Sequence, residues 1–143
     1  MTVAEETRAL LADPLEYIPR FLQILAKPDE GGRAHVVPME LRPVQADYIR
    51  RRSHQDWVVK GRQMGLSTGV MADNAHRIFT EPFHRAAVIA HRSDSSEMLL
   101  QTLHRFHRYL PSGMAPAVDW SSSKKIRFPK LDSIVHIDSA QSS

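Results

Sequence analysis

Between residues 57 and 80 the chain passes from a short apolar segment, Trp57-Val58-Val59, through the turn-like Lys60-Gly61-Arg62-Gln63-Met64-Gly65-Leu66-Ser67-Thr68. It then enters a stretch in which Val70, Met71, Ala75, Ile78 and Phe79 recur at helical spacing. Few folds accommodate that order. An apolar strand that runs into a glycine-containing turn and leaves as an amphipathic helix is the first half of a βαβ unit, which needs a further parallel strand to close. Ala86-Ala87-Val88-Ile89-Ala90 supplies one: a continuous apolar run of the kind buried on both faces of a parallel sheet. Ser93-Asp94-Ser95-Ser96 reads as a helix start, and Met98, Leu99, Leu103, Phe106 and Leu110 continue at helical spacing until Pro111-Ser112-Gly113. Strand, loop, helix, strand, helix predicts an α/β fold with a parallel sheet flanked by helices.

The flanking segments are less uniform. Residues 3–12 read as a short helix, and Asp13-Pro14 as a cap followed by proline at the first helical position. From Leu15 to Ala26 two readings compete. Tyr17, Ile18, Phe21, Leu22 and Leu25 lie at helical spacing, but Pro19 interrupts the pattern and should break it. Phe21 to Leu25 equally fits a short strand. Asp29-Glu30-Gly31-Gly32 marks a turn, and Val36 to Leu41 reads as extended, so a hairpin is expected around that turn. Pro43 starts a helix that runs through Arg51. Near the end, Ile126 to Phe128 and Ile134 to Ile137 are separated by Pro129 to Asp132, which predicts a hairpin or two adjacent strands. Residues 1–40 thus form a helix and hairpin lead-in, and 41–143 the α/β domain; 143 residues suit one domain or part of one.

Charge and cysteine usage narrow the chemistry. Nineteen Lys and Arg oppose sixteen acids, for a net charge of +3. That balance describes a mildly basic soluble protein or one with a polyanionic partner. The lack of cysteine excludes disulfides, zinc–thiolate sites and thiol nucleophiles. The N-terminal residues have early acids and no long apolar core, so no signal peptide is expected, and no run approaches the roughly 18 apolar residues of a membrane span.

A phosphate-binding loop needs a strand, a turn with exposed backbone N–H groups, and a helix N-terminus aimed at the anion. It also needs a lysine for the outer phosphates and a Ser or Thr hydroxyl for Mg²⁺. Gly65 lets the backbone approach closely, and Ser67 stands where the magnesium hydroxyl belongs. The common pattern G-x-x-x-x-G-K-[ST] is broken, because Leu66 occupies the lysine position and Lys60 the first glycine position. The lysine is displaced to the front of the loop, from where its long stem reaches the same phosphates. The plain alternative is a glycine-containing turn with Lys60 solvated.

Val58 to Thr68 resembles the first nucleotide-binding motif of large terminase subunits, the ATP-driven DNA-packaging motors and nucleases of tailed bacteriophages. Many members carry Arg-Gln before Gly-x-Ser-Thr, and several place the lysine at the front of the loop, as Lys60 is here. Leu41-Arg42-Pro43-Val44-Gln45 resembles the segment preceding the loop, and Ala87 to Ser95 the second strand and following helix start. Phe106 to Pro111 and Ile126 to Ala140 resemble the run-up to the acidic ATPase motif. The resemblance spans about residues 20–140 and implies a partial P-loop NTPase fold binding ATP and Mg²⁺; another nucleic-acid-stimulated P-loop motor, such as a helicase relative, is the alternative, since a glutamine upstream of the loop fits both. By position, Lys60 would contact the β- and γ-phosphates, Ser67 would hold Mg²⁺, Gly65 and Thr68 would line the phosphate site with Gly61, Gln63, Met64 and Leu66, and Gln45 would contact adenine. Arg62 matches a family arginine proposed to act on the transferring phosphate, with an ion pair shaping the loop as its alternative. The implied partners are double-stranded DNA and, for the whole protein, a small terminase subunit and the capsid portal, in the bacterial cytoplasm; self-association is also expected. The acidic pair is missing, since Asp138 is followed by Ser139, and the resemblance puts that motif and the nuclease domain beyond residue 143.

Other residues invite weighing. His104 and His107, three apart on one helix, with Glu97 nearby, admit a metal reading, though solvated helix histidines fit better. Arg50-Arg51-Arg52 reads as a solvated helix end or a nucleic-acid contact, and Ser121 to Lys125 as an exposed loop or a DNA-backbone contact.

Overall fold

The structure is a computed structural model that describes residues 1–56, 58, 65–120 and 122–141. The strand expected at Trp57-Val58-Val59 lies largely outside the described residues. Helix α1 (Val3–Ala12) starts at a capping box, in which Thr2 Oγ1 accepts from the Glu5 N–H at 3.3 Å and the Glu5 carboxylate accepts from the Thr2 N–H at 2.7 Å. Helix α2 (Pro14–Phe21) starts where Asp13 Oδ1 accepts from the Leu15 N–H at 2.9 Å.

Pro19 does not break α2. The helix continues through it, and the Leu22 N–H donates to the Ile18 carbonyl at 3.0 Å. In a helix of only eight residues, the missing proline N–H costs one internal hydrogen bond. Against that, Tyr17 and Ile18 are 1% and 0% exposed, and burying two large side chains outweighs one lost bond.

Strands β1 (Gln23–Leu25) and β2 (Val36–Pro38) pair antiparallel with Ile24 opposite Val37, forming the expected hairpin. Helices α3 (Pro43–Arg51) and α4 (Leu66–Thr80) follow, then β3 (Arg85–Ala90), α5 (Ser93–Arg108), β4 (Lys125–Phe128) and β5 (Ser133–Ser139). The three later strands form one mixed sheet in the order β3-β5-β4. β3 runs parallel to β5 with Val88 beside Ile137, and β4 runs antiparallel to β5 with Ile126 beside Val135.

The two faces of this sheet differ. Ala86, Val88, Ile126, Phe128, Val135 and Ile137 point toward α4 and α5, where Phe79, Leu103 and Phe106 complete a core shared with Tyr17, Ile18, Leu22 and Ile49. The opposite face carries Arg85, Ala87, Ile89, Lys125, Arg127 and His136, all exposed. The apolar run of β3 is therefore not buried on both faces, and Ile89 is 72% exposed. Its composition read as two-sided because Ala87 and Ile89 continue the hydrophobic run, yet both helices pack on one side. No helix among the described residues is long and apolar enough to cross a membrane.

Burial raises the Tyr17 phenol from its ordinary 10.0 to about 12. The neutral form is favoured by the fold, so its contribution to stability is complete below pH 10 and is lost as pH rises through 12. We expect the urea midpoint to fall across that interval, the 295 nm phenolate signal of Tyr17 to appear only there, and Tyr17→Phe to remove that part of the decline.

Candidate functional site

Three elements converge where α4 begins. Gly65 precedes the helix with φ +75°, in the left-handed region that costs a side-chain-bearing residue strain. That conformation sets the direction in which the chain enters α4. Leu66, 4% exposed, anchors the first turn in the core, while Ser67 is exposed and Thr68 half-buried beside it. Glycine offers no side-chain cap to the first N–H groups of α4. The start of a helix therefore presents unsatisfied donors together with the positive end of its dipole.

The direction of α4 follows from its short connection into β3. Ser67 and Val70 share a cleft of about 480 Å³ with Val88 of β3, Leu99 of α5 and Tyr48 and Asp56 near the end of α3. At the same end of the sheet, Ser93 and Ser96 of α5 adjoin Asp138 and Ser139 at the end of β5. The starts of both long helices thus gather at the carboxyl ends of the two parallel strands, the position where open α/β sheets hold their ligands.

Gln45, on α3, is 4% exposed and reaches this junction. Its Oε1 accepts from the Arg42 N–H at 2.8 Å, and its Nε2 donates to the Gly65 carbonyl at 2.8 Å. The same carbonyl accepts the first hydrogen bond of α4, from the Gly69 N–H at 3.1 Å. Gly69 is the close-packing point: a Cβ there would lie 2.9 Å from Gln45 Cγ.

A second tie sits one turn further along. Arg52 Nε lies 2.7 Å from Asp73 Oδ2, with the Asp73 side chain 6% exposed. Arg52 also donates to the Ile49 carbonyl at 2.8 Å, which fixes the guanidinium. The contact is close but poorly aligned for hydrogen bonding, and Asp73 Oδ1 has no hydrogen-bond partner among the described residues. The Tyr48 phenol is raised by its burial and then by the Asp73 charge. His76, 2% exposed, contacts the Leu11 carbonyl through Nε2 at 2.7 Å and packs on the Tyr17 ring, tying α1 and α2 to the same helix.

Of the residues expected from the sequence, the structure brings Gln45, Gly65, Leu66, Ser67 and Thr68 together. Lys60, Gly61, Arg62, Gln63 and Met64 lie outside the described residues. Gln45, expected to meet a base, here spends both ends of its amide on backbone groups. Arg52 is not part of a solvated arginine cluster; only Arg50 and Arg51 are exposed. His104 and His107 are also not simply solvated. His104 stacks on Trp120 with ring centroids 3.8 Å apart, and burial followed by the neighbouring His107 lowers its pKa. His107 contacts the Pro116 carbonyl at 2.7 Å and packs on Phe79. Among the described residues no group of three or more His, Cys, Asp or Glu is arranged to hold a metal ion. Lys124, weighed as a DNA contact, lies 3.1 Å from Asp138. The Asp138 carboxyl is held below its ordinary range first by the Ser139 N–H and then by Lys124.

Gly69, Asp73 and His76 were not singled out by sequence. A glycine inside a helical pattern and charged or polar residues on its apolar stretch were the available signals. No protein-family model matches the chain, and no curated protein matches it either.

Two substitutions gauge this junction. Gly69→Ala drives a methyl against Gln45 and should cost about 1–3 kcal/mol, the usual range for overpacking. Asp73→Ala leaves Arg52, 23% exposed and still bonded to the Ile49 carbonyl, without its charged partner and should cost about 1–3 kcal/mol. Urea unfolding monitored by circular dichroism measures both.

Proposed function

We propose that this chain is part of a P-loop ATPase domain of the large terminase type, which binds ATP with Mg²⁺ and, within a complete motor, couples hydrolysis to the movement of double-stranded DNA. The observation that carries this reading is the sequence Lys60 to Thr68 together with Gly65 at φ +75° before α4 and Ser67 exposed on its first turn. A left-handed glycine followed by an uncapped helix start is suited to an anion of phosphate size. Its placement at the carboxyl ends of β3 and β5 agrees with a nucleotide bound across the sheet edge.

In this reading Lys60 supplies the ammonium for the β- and γ-phosphates and Ser67 the hydroxyl for Mg²⁺. Gly61, Gln63, Met64, Gly65, Leu66 and Thr68 shape the loop around the phosphates. Arg62 acts on the transferring phosphate. The metal, when bound, neutralises charge between the outer phosphates; what this chain contributes is the fixed set of donors. A small terminase subunit, the capsid portal and further copies of the chain are the partners that such a motor requires.

Calorimetry on the purified 143-residue chain tests the reading. Mg²⁺-dependent binding of ATP is expected. Lys60→Ala should weaken it about 10- to 100-fold, the worth of hydrogen bonds to a charged group. No turnover is expected, because Asp138 is followed by Ser139 and the acidic pair that positions water is lacking. Binding indifferent to Lys60→Ala would favour a nucleic-acid-binding module without nucleotide chemistry, and a Lys60-dependent hydrolysis rate would contradict the expected inactivity.

A further inference from the structure

We infer that Gln45 is a positioning residue: its amide holds the Gly65 carbonyl, and with it the first turn of α4, in the phosphate-receiving pose, and it does not select the base. The inference rests on the phosphate-site reading for its functional meaning, but the strut itself is a feature of the fold. Both polar ends of the amide are engaged at 2.8 Å, Oε1 by the Arg42 N–H and Nε2 by the Gly65 carbonyl. Those partners determine the orientation of the amide. A flipped amide would face a donor with a donor and an acceptor with an acceptor.

Recognition of adenine by a glutamine uses the carbonyl and the amino group of one amide together. Here that pair already spans α3 and α4, and the side chain is 4% exposed. One Nε2 hydrogen and one Oε1 lone pair remain uncommitted, but with the residue 4% exposed and wedged against Gly65 and Gly69 a base reaches them only by drawing the side chain out of its packed position.

The surroundings are shaped to the side chain. A Cβ on Gly69 would lie 2.9 Å from Gln45 Cγ, and a Cβ on Gly65 would lie 3.1 Å from Gln45 Nε2. Two glycines in one helix start thus leave a slot that the glutamine fills. The Gly65 carbonyl accepts both the Gly69 N–H at 3.1 Å and the Gln45 amide. A carbonyl offers two lone pairs, and both are committed. The peptide plane leading into α4 is therefore clamped from the helix and from α3 at once. Any ligand held by the first N–H groups of α4 benefits, whatever base it carries.

The test compares wild type with Gln45→Met, which fills the slot without hydrogen bonds, and Gln45→Glu, which keeps an acceptor for the Arg42 N–H but loses the donor to Gly65. Dissociation constants for Mg²⁺ complexes of ATP, GTP and tripolyphosphate are measured by calorimetry. Exchange of the Gly69 amide is followed by NMR without ligand. Both variants should weaken all three ligands by a common factor of about five, one hydrogen bond's worth, leaving the ATP-to-GTP ratio unchanged. Gly69 exchange should accelerate by a similar factor. Weakening confined to ATP, with tripolyphosphate unaffected, would overturn the inference and make Gln45 a base reader. Unchanged Gly69 exchange would overturn it as well. Were wild type to bind none of the three while Gly69 exchange still accelerated in the variants, the strut would stand and the phosphate-site reading would fall.

Discussion

Helix α4 is buried on nearly every side, and the arrangement of the other helices follows from what that burial demands. A wholly apolar helix could be surrounded by oil-like contacts that tolerate rotation and sliding. This one takes Asp73 and His76 inside with it. Each gains from a partner, because an unpaired buried polar group costs about as much as burying a large apolar side chain returns, and a charge costs more; Asp73 Oδ1 and His76 Nδ1 have no hydrogen-bond partner among the described residues. Asp73 takes its partner from the end of α3, and His76 from the Leu11 carbonyl at the end of α1. Gly69 removes the side chain that would keep α3 at a distance. Apolar area supplies the drive for packing around α4, and these three points determine the register in which it packs. A buried ion pair often stabilises less than an apolar replacement would, so its value here lies in specificity.

Much of the architecture was legible in the sequence because its signals are local. Val70, Met71, Ala75, Ile78 and Phe79 announce a helix by spacing, and all but Val70 are buried. The turn at Asp29 to Gly32 and the break at Pro129 to Asp132 each stand between strands that pair as expected. Pro19 misled because the rule against interior proline weighs backbone bonds and ignores the burial of Tyr17 and Ile18 beside it. β3 misled because composition cannot say on which side of a sheet the helices lie. The ties that place the site were not legible at all. Arg52 and Asp73 stand 21 positions apart, Gln45 and Gly65 20 apart, and Leu11 and His76 65 apart. No period links such pairs. The roles of Lys60, Ser67 and Gln45 came from resemblance, not from spacing.

The end of the sheet at which α4 and α5 start combines opposed requirements. The helix starts and the exposed Ser67 favour anions, while Asp138 at the end of β5 does not. Lys124 offsets that carboxylate at 3.1 Å, and the Ser139 N–H stabilises its charge. The two halves of this edge therefore differ in character: a cationic start of α4 beside Gln45 and Arg42, and a balanced ion pair below α5.

The mixed sheet also orders events in time. β4 and β5 are joined by a turn of four residues, so their antiparallel pairing closes a short loop and forms on the timescale of an isolated hairpin. β3 meets β5 only across a sequence separation of 49, Arg85 against Ile134, with all of α5 in between. Closing that loop costs chain entropy before any ladder bond forms, and α5 must already lie across the inner face to make the closure worthwhile. The central strand of the sheet is thus committed first to its late neighbour in sequence and last to its early one. During synthesis from the N-terminus, the edge of β3 that meets β5 has no partner until the hairpin emerges.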